Sequence, residues 1–194
     1  LLYKAMEMTR VEAVSFNYGQ RHKKELTYAS DMCKRLGVEH AIIDITSLTP
    51  HIGGSALTDN IEVPEGHYSA PSMAITVVPN RNAIMLTIAF GIAVARNSSL
   101  VGAAMHAGDH AVYPDCRPEF VDTFNTMQRT AVEGHGDPNL HLWTPFIDKT
   151  KTDIAREGLR LGVDYSLTWS CYKGEELHCG KCGTCYERKE AFSD

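Results

Sequence analysis

The sequence predicts an α/β fold built on a parallel sheet, followed by a small metal-binding segment. Short apolar runs typical of buried strands alternate with helical segments along most of the 194 residues. Such alternation implies a parallel sheet with helices on both faces. In addition, four of the six cysteines crowd between residues 171 and 185. We therefore divide the chain into an α/β domain over residues 1–165 and a metal-binding segment over residues 166–194.

The first half of the chain is predicted to contain a strand, a helix and a second strand. Strand character is found at Val11–Phe16, and Ala41–Ile45 is an apolar run with branched residues, which predicts a buried strand. His22–Leu36 has apolar residues at helical spacing, including Cys33 as a core residue, and Gly37 is expected to end this helix. Residues 46–78 predict a long loop, which is usually functional or mobile.

The second half predicts three helices that alternate with two strands. Arg81–Arg96 is apolar almost all round and predicts a buried helix. A helix opening at Pro118 is expected to bury one face, and a capping box at Thr150 is expected to open a helix that Gly162 closes. The buried face is predicted from Phe120, Phe124, Met127 and Ala131. Strands are expected at residues 100–104 and 140–143.

Composition disfavours nucleic acid and membrane as direct partners. The net charge of −5 supplies no global positive field for nucleic acid. The longest strongly apolar stretch, Ala83–Ala95, is short and interrupted for a membrane span. No signal peptide is visible, and Cys-x-x-Cys spacing in such a chain favours a reducing, cytoplasmic location.

The cysteine spacing near the C-terminal end predicts a structural zinc site. Cys171 precedes two overlapping Cys-x-x-Cys steps formed by Cys179, Cys182 and Cys185. Four thiolates complete a tetrahedral zinc site, and the glycines between them allow the backbone to turn tightly around the ion. The alternatives are a redox or disulfide cluster and an iron–sulfur cluster. His178 is not needed as a ligand and is expected at the surface.

Polar motifs follow several predicted strands, where parallel sheets bind ligands. Asn80 can cap the helix that follows it, whereas Arg81 can neutralise phosphate or hold a carboxylate. Asp115 and Arg117 form either a structural ion pair or ligand contacts. A second metal site at His106, Asp109 and His110 is a weaker alternative, since no further spacing supports it.

Five motifs together resemble the 7-cyano-7-deazaguanine synthase family, in order and over nearly the whole chain. They are Asn17-Tyr18-Gly19-Gln20-Arg21-His22, Val78-Pro79-Asn80-Arg81-Asn82, His106-Ala107-Gly108-Asp109, Tyr113-Pro114-Asp115-Cys116-Arg117-Pro118-Glu119-Phe120 and the four cysteines. The resemblance implies a Rossmann-like, adenine-nucleotide hydrolase-like fold of the ATP pyrophosphatases. It also implies conversion of 7-carboxy-7-deazaguanine, ammonia and ATP to a nitrile in queuosine biosynthesis.

The resemblance also assigns candidate roles to residues. Gln20, Arg21, Asn80 and Arg81 are expected to border the ATP site, with Mg²⁺ as a further cofactor. The deazapurine substrate is expected to contact His106, Asp109, Asp115 and Arg117. No general base is assigned. A homodimer is implied by the family alone.

One departure concerns the phosphate-binding loop. The family has a Ser-Gly-Gly-x-Asp-Ser loop immediately before the helix with which this sequence begins, and that motif does not occur in these residues. We expect that an upstream strand and loop are missing, and that the chain without them is inactive. The competing functions are another ATP pyrophosphatase, such as a tRNA-thiolating enzyme, and a non-enzymatic zinc-ribbon module.

Overall fold

The computed structural model describes residues 1–68 and 71–193. Ser69 and Ala70 of the predicted loop, and Asp194 of the predicted metal-binding segment, lie outside the described residues. The chain divides into two compact units. The central unit comprises Leu1 with residues 80–150, and the terminal unit comprises residues 2–79 and 151–194. The boundary predicted between residues 165 and 166 stays a prediction.

The terminal unit contains a β-α-β arrangement preceded by a short helix. Helix α1 spans Leu2–Met6, strand β1 Glu12–Asn17, helix α2 Lys24–Leu36 and strand β2 Glu39–Asp44. β1 and β2 are parallel, in a register from Glu12 opposite Glu39 to Asn17 opposite Asp44. Gly37 ends α2 in the left-handed conformation at φ 67°, which glycine adopts without steric cost. The predicted strands and helix are confirmed, although α2 begins at Lys24 instead of His22.

A histidine links the three elements of this arrangement. The His40 ring on β2 lies 2.9 Å from the Ser15 hydroxyl on β1 and 3.2 Å from the Ser30 hydroxyl on α2. Burial lowers the pKa of His40 and so favours the neutral ring. A neutral ring can accept a hydrogen bond from one hydroxyl and donate one to the other.

The prediction that β2 is buried is wrong. Ile42 is 47% exposed, and Ala41 is also exposed. The apolar run predicts a strand with neighbours on both sides, whereas in the described structure β2 is paired along one edge only.

The central unit has a β-α-β arrangement of its own and a compact core. Helix α3 spans Arg81–Ala95, strand β3 Leu100–Gly102, helix α4 Pro118–Ala131 and strand β4 His141–Trp143. β3 and β4 are parallel, from Leu100 opposite His141 to Gly102 opposite Trp143. The amide of Asn125 on α4 accepts from the Leu142 N–H at 2.7 Å, which fixes α4 against β4. The α/β class with parallel strands is thus confirmed. The described strands form two two-stranded sheets, however, and not the single sheet that the alternation predicts.

The core of the central unit lies between α3 and α4. Phe90 is 1% exposed and meets Phe124 edge to face, with ring centroids 5.5 Å apart. Around this pair pack Leu86, Ala93, Met105, Cys116, Val121, Leu140 and Leu142. Met127, predicted on the buried face of α4, is 46% exposed. The buried stripe runs through Val121, Phe124 and Gln128 instead, which are spaced by three and four residues.

One apolar stretch, Ser72–Ala95, is long and apolar enough to cross a membrane by length and composition, with a mean hydropathy of 1.4. It is not one helix, because a 3₁₀ helix ends at Thr76 and α3 begins only at Arg81. α3 alone has 15 residues, fewer than the roughly 20 that a span requires. Its buried residues, Leu86, Phe90 and Ala93, belong to the core described above, whereas the rest of α3 is partly or fully exposed, so the prediction of a helix buried all round is wrong.

The remaining helices lie in the terminal unit. Helix α5 spans Lys151–Arg160, directly after Thr150, and Gly162 follows its end at φ 76°. Helix α6 spans Gly183–Ala191 and was not predicted. The predicted long loop contains 3₁₀ helices at Thr46–His51 and Pro71–Thr76.

Two helical glycines provide a matched test of the packing. A Cβ on Gly158 of α5 would lie 2.0 Å from the Tyr165 hydroxyl, which donates to the Ala155 carbonyl at 3.0 Å. A Cβ on Gly91 of α3 would meet nothing within 4 Å. We expect Gly158→Ala to lower the free energy of unfolding by about 1–3 kcal/mol through overpacking. Gly91→Ala should raise it by up to about 1 kcal/mol, because alanine has the higher helix propensity. Urea denaturation at fixed metal concentration measures both, and equal effects of the two substitutions would contradict this packing.

Candidate metal centre and ligand sites

The four C-terminal cysteines converge in the terminal unit. The Sγ atoms of Cys171, Cys179, Cys182 and Cys185 all lie within 4.8 Å of one another. Cys179 Sγ is 3.8 Å from Cys185 Sγ, and Cys171 Sγ is 4.0 Å from Cys182 Sγ. A disulfide requires about 2.05 Å, so none of these sulfurs is bonded to another in the structure, and their spacing favours a metal site over a disulfide.

These separations fit one tetrahedrally coordinated ion. Four sulfurs at about 2.3 Å from a common centre lie about 3.8 Å apart at tetrahedral angles. A cluster of several irons would space its cysteines more widely, because its four thiolates are divided among different irons. The residues present can therefore hold a single metal ion.

The backbone around the sulfurs is arranged to stabilise negative charge. The N–H groups of Lys173 and Cys179 each point at Cys171 Sγ at 3.4 Å. Those of Lys181 and Cys182 point at Cys179 Sγ at 3.4 and 3.3 Å. Such donors orient thiolate ligands and tune their charge. Gly180, at φ 70°, allows the tight turn between Cys179 and Cys182.

The protonation of these cysteines depends on the cation. Burial raises the pKa of both Cys171 and Cys185. Burial also acts to raise the pKa of Cys182, but hydrogen bonds, led by that of Thr184, bring it to about 7. A cation at the centre favours the thiolate form of all four side chains, so binding releases protons and metal affinity falls as the pH falls.

Part of the long loop forms the wall of this centre. Ala56 and Val63 are buried against Cys171, Cys182 and Cys185. Gly66 N–H donates to the Lys181 carbonyl at 3.0 Å, and the Lys173 ammonium lies 2.6 Å from the Glu65 carboxylate. This part of the predicted loop is therefore an ordered support of the cysteines.

A second set of contacts surrounds Trp169. Its indole N–H donates to the Cys171 carbonyl at 3.0 Å, and its ring stacks on His178 with centroids 4.3 Å apart. The Lys24 ammonium lies 4.2 Å from the Trp169 ring centroid, and the Tyr28 ring lies 5.5 Å away. His178 is thus half-buried in this Trp169 stack, so it lies only partly at the surface, because its ring packs flat on the indole.

Gln20 and Arg21 lie in the terminal unit, just after β1. Gln20 is buried, accepts from the Tyr18 N–H at 2.9 Å, and donates to Glu25 at 3.2 Å. Its side chain therefore shapes the turn after β1. Arg21 is exposed, its N–H donates to the Leu57 carbonyl at 3.0 Å, and its guanidinium donates to the Ile61 carbonyl.

Asn80 and Arg81 lie at the start of α3 in the central unit. Asn80 adopts the left-handed conformation at φ 60° and makes no side-chain cap. The Asp115 carboxylate accepts from the Asn82 N–H at 3.1 Å instead. The capping interpretation of Asn80 is thus wrong, because the left-handed backbone turns its side chain away from the first helical N–H groups.

A buried thiol brings several predicted ligand residues together. The pKa of Cys116 is raised to about 12, chiefly by burial and also by the charges of Asp109 and Asp115, while the charge of Arg81 opposes the shift. Asn82 donates to Cys116 Sγ at 3.2 Å. Arg81, Asp109 and Asp115 therefore lie close enough to Cys116 for their charges to act on its thiol. The sequence alone assigns no role to Cys116. Its position between Asp115 and Arg117 in the motif was the feature of the sequence that could have pointed to it.

His106 and Arg117 are held by nearby backbone and carboxylate groups. His106 is buried, its Nδ1 accepts from the Gly108 N–H at 3.1 Å, and its Nε2 faces the Asp109 carboxylate at 3.3 Å. The proton therefore lies on Nε2. Arg117 Nε donates to the His110 carbonyl at 2.8 Å, so a backbone carbonyl holds its guanidinium. In the described part of the chain, His106, Asp109 and His110 do not form a group that could hold a metal.

Comparison with known proteins places these features in a family. The whole chain, residues 1–194, matches the family model described as "Queuosine biosynthesis protein QueC". It is 54% identical to "7-cyano-7-deazaguanine synthase 1" of Mesorhizobium japonicum, over 97% of this chain and 80% of that protein. It is also 55% identical to the 7-cyano-7-deazaguanine synthase of Allorhizobium ampelinum, over 97% of this chain and 79% of that protein. A third relative, the synthase of the same name from Rhizobium rhizogenes, is 54% identical over the same shares of the two chains.

The match spans both units and includes the four converging cysteines as well as the cluster around Cys116. The resemblance deduced from the sequence motifs is therefore confirmed. This chain belongs to the QueC family of queuosine biosynthesis proteins.

Proposed function

We propose that the protein is an ATP-dependent enzyme that converts 7-carboxy-7-deazaguanine and ammonia to 7-cyano-7-deazaguanine. The observation that carries this proposal is the identity of 54–55% to synthases of that name over 97% of the chain. Such a match along both units favours this function over a tRNA-thiolating enzyme or a zinc-ribbon module.

The reaction must remove both oxygens of a carboxylate, which is a poor electrophile. One carboxylate oxygen attacks the α-phosphorus of ATP, pyrophosphate leaves, and an acyl adenylate forms. Ammonia displaces AMP and, after losing a proton, gives the amide. The amide oxygen is adenylated in the same way by a second ATP, and loss of AMP and protons yields the nitrile. Catalysis of this kind depends on positioning and on stabilising charge at phosphorus, to which Mg²⁺ contributes.

The central unit carries the groups that suit the deazapurine. Asp115 and Arg117 offer a carboxylate for the donor edge of the base and a guanidinium for the substrate carboxylate. His106 and Asp109 lie 3.3 Å apart near the same motif, with His106 buried and Asp109 partly exposed. We assign the four residues to substrate binding.

Gln20, Arg21, Asn80 and Arg81 are assigned to the border of the nucleotide site. The exposed Arg21 and the half-buried Arg81 supply positive charge for phosphate. Gln20 acts through the turn after β1, since its amide is engaged within that turn.

The ion at the four cysteines is assigned as structural zinc, because four thiolates leave no open position for water. Further proposals are a cytoplasmic location, a homodimer, and the absence of nucleic acid and membrane among direct partners. Thiolate ligation suits a reducing compartment.

The synthase proposal is tested by mass spectrometry of the product. Full-length protein is incubated with 7-carboxy-7-deazaguanine, ATP, Mg²⁺ and ¹⁵N-ammonium. The nitrile should appear with a single ¹⁵N, and AMP and pyrophosphate should form in step with it, since both oxygens leave as parts of AMP. An unlabelled product, or hydrolysis of ATP to ADP, would contradict the mechanism.

The same assay tests the substrate assignment with a matched pair of arginines. Arg117→Ala removes the proposed carboxylate partner, and we expect kcat/KM for the deazapurine to fall about 10²-fold. Arg129→Ala, an exposed arginine on α4, is the control and should behave as the unaltered protein. Normal turnover by Arg117→Ala would remove Arg117 from the site.

The zinc assignment is tested with a matched pair of buried cysteines. Cys182 and Cys33 are 0% and 3% exposed. Cys182→Ser should lose about one equivalent of zinc and lower the free energy of unfolding by several kcal/mol, because metal binding is coupled to folding. Cys33→Ser should lower stability by burying a hydroxyl but keep its zinc. Elemental analysis and urea denaturation measure the two effects, and full zinc content in Cys182→Ser would contradict the four-cysteine site.

A further inference from the structure

The chain between the first two cysteines forms a loop whose two ends meet at the metal centre. Cys171 and Cys179 are both in the sulfur cluster, and the Cys179 N–H points at Cys171 Sγ at 3.4 Å. A cation bound by both sulfurs would close this loop and fix the residues between them. Those residues include Gly174, Glu175 and Glu176, and all three lie against the start of α2.

Lys24, the first residue of α2, holds the middle of the loop. Its ammonium lies 2.6 Å from the Glu175 carbonyl and 3.0 Å from the Glu176 carbonyl. The same ammonium lies 4.2 Å from the Trp169 ring centroid. Two carbonyls and an aromatic face together hold a cation more firmly than any one of them.

The residue at position 22 lies directly against the loop as well. A Cβ on Gly174, which has φ 64°, would come within 2.3 Å of the His22 ring. Only glycine allows this approach. The loop therefore contacts the chain at two positions, one on each side of Lys23.

Arg21, at the start of the same segment, contacts the wall of the metal centre. Arg21 N–H donates to the Leu57 carbonyl at 3.0 Å, and its guanidinium donates to the Ile61 carbonyl. The neighbouring Ala56 and Val63 pack on the cysteines, with Ile61 beside them. Residues 21–24 thus contact both the loop and the wall, and each of these leads to the cysteine cluster.

We propose that the metal centre sets the position of residues 21–24 and that Lys24 is the positioning residue that links the two. When the ion closes the loop, the carbonyls of Glu175 and Glu176 hold Lys24, and Arg21 is held where it borders the nucleotide. This inference rests on the proposed zinc site and on the proposed role of Arg21. In this proposal the metal contributes to nucleotide binding as well as to the stability of the C-terminal segment.

The test is hydrogen–deuterium exchange in peptides that cover residues 18–24, with zinc content measured on the same samples. The reporter is the Arg21 N–H, which is bonded to the Leu57 carbonyl. Lys24→Met keeps the length of the side chain but removes the ammonium, and we expect about tenfold faster exchange in these peptides with zinc retained. Lys24→Arg keeps a cation that can donate to carbonyls and stack on an indole, so it should restore slow exchange. Lys23→Met, at the exposed neighbouring lysine, is the matched control and should exchange as the unaltered protein does.

A second measurement does not depend on the folding of any variant. Removal of zinc from the unaltered protein by a chelator should speed exchange in peptides 18–24 by about the same factor. Slow exchange in these peptides, either after zinc removal or in Lys24→Met, would overturn the proposal. So would faster exchange spread evenly over the chain in Lys24→Met, since that would mark general destabilisation. These readouts need no turnover, so they test the positioning of residues 21–24 by the metal centre separately from the proposed function, which failure to form nitrile would refute.

Discussion

The terminal unit depends on one electrostatic constraint, which is that four cysteine sulfurs share a volume less than 4.8 Å across. Three of the four cysteines are buried. As thiolates they would repel one another strongly in such a medium, and as thiols they would gain little from converging. A cation resolves this conflict because it bonds all four at once. The backbone N–H groups aimed at Cys171 and Cys179 indicate that the surrounding chain is organised for the charged form.

This centre brings together parts of the chain that are far apart in sequence. The wall comes from residues 56–66, the Trp169 stack joins α2 to the cysteine segment, and Lys24 reaches carbonyls about 150 residues away. A metal site that merely capped the C-terminal end would need none of these contacts. These contacts link the metal centre to the turn after β1. Parallel β-α units bind ligands at such turns, beyond the carboxyl ends of their strands.

Sequence patterns predicted what is local and missed what depends on long-range partners. The helices α2 to α5 and the cysteine centre could be predicted from residue spacing. Apolar residues recur every three to four positions in a helix, and metal-binding cysteines occur in Cys-x-x-Cys pairs. The exposure of Ile42 and Met127 did not follow, since an apolar residue shows a capacity for burial but not which neighbour covers it. The left-handed conformation of Asn80 could not be predicted from the sequence either. Helix α6 was missed because the cysteines at its start were interpreted only as metal ligands. Among the candidate ligand residues, the motif around Asp115 was visible in the sequence, whereas the burial of Cys116 near Asp109, Asp115 and Arg81 was not.

The most direct measurement of the central claim is X-ray absorption at the zinc edge of protein purified without chelators. We predict a zinc ion with four sulfur neighbours at about 2.3 Å and no nitrogen or oxygen ligand. A first shell that contains nitrogen or oxygen, or fewer than four sulfurs, would contradict the closed thiolate centre on which the support of residues 21–24 depends.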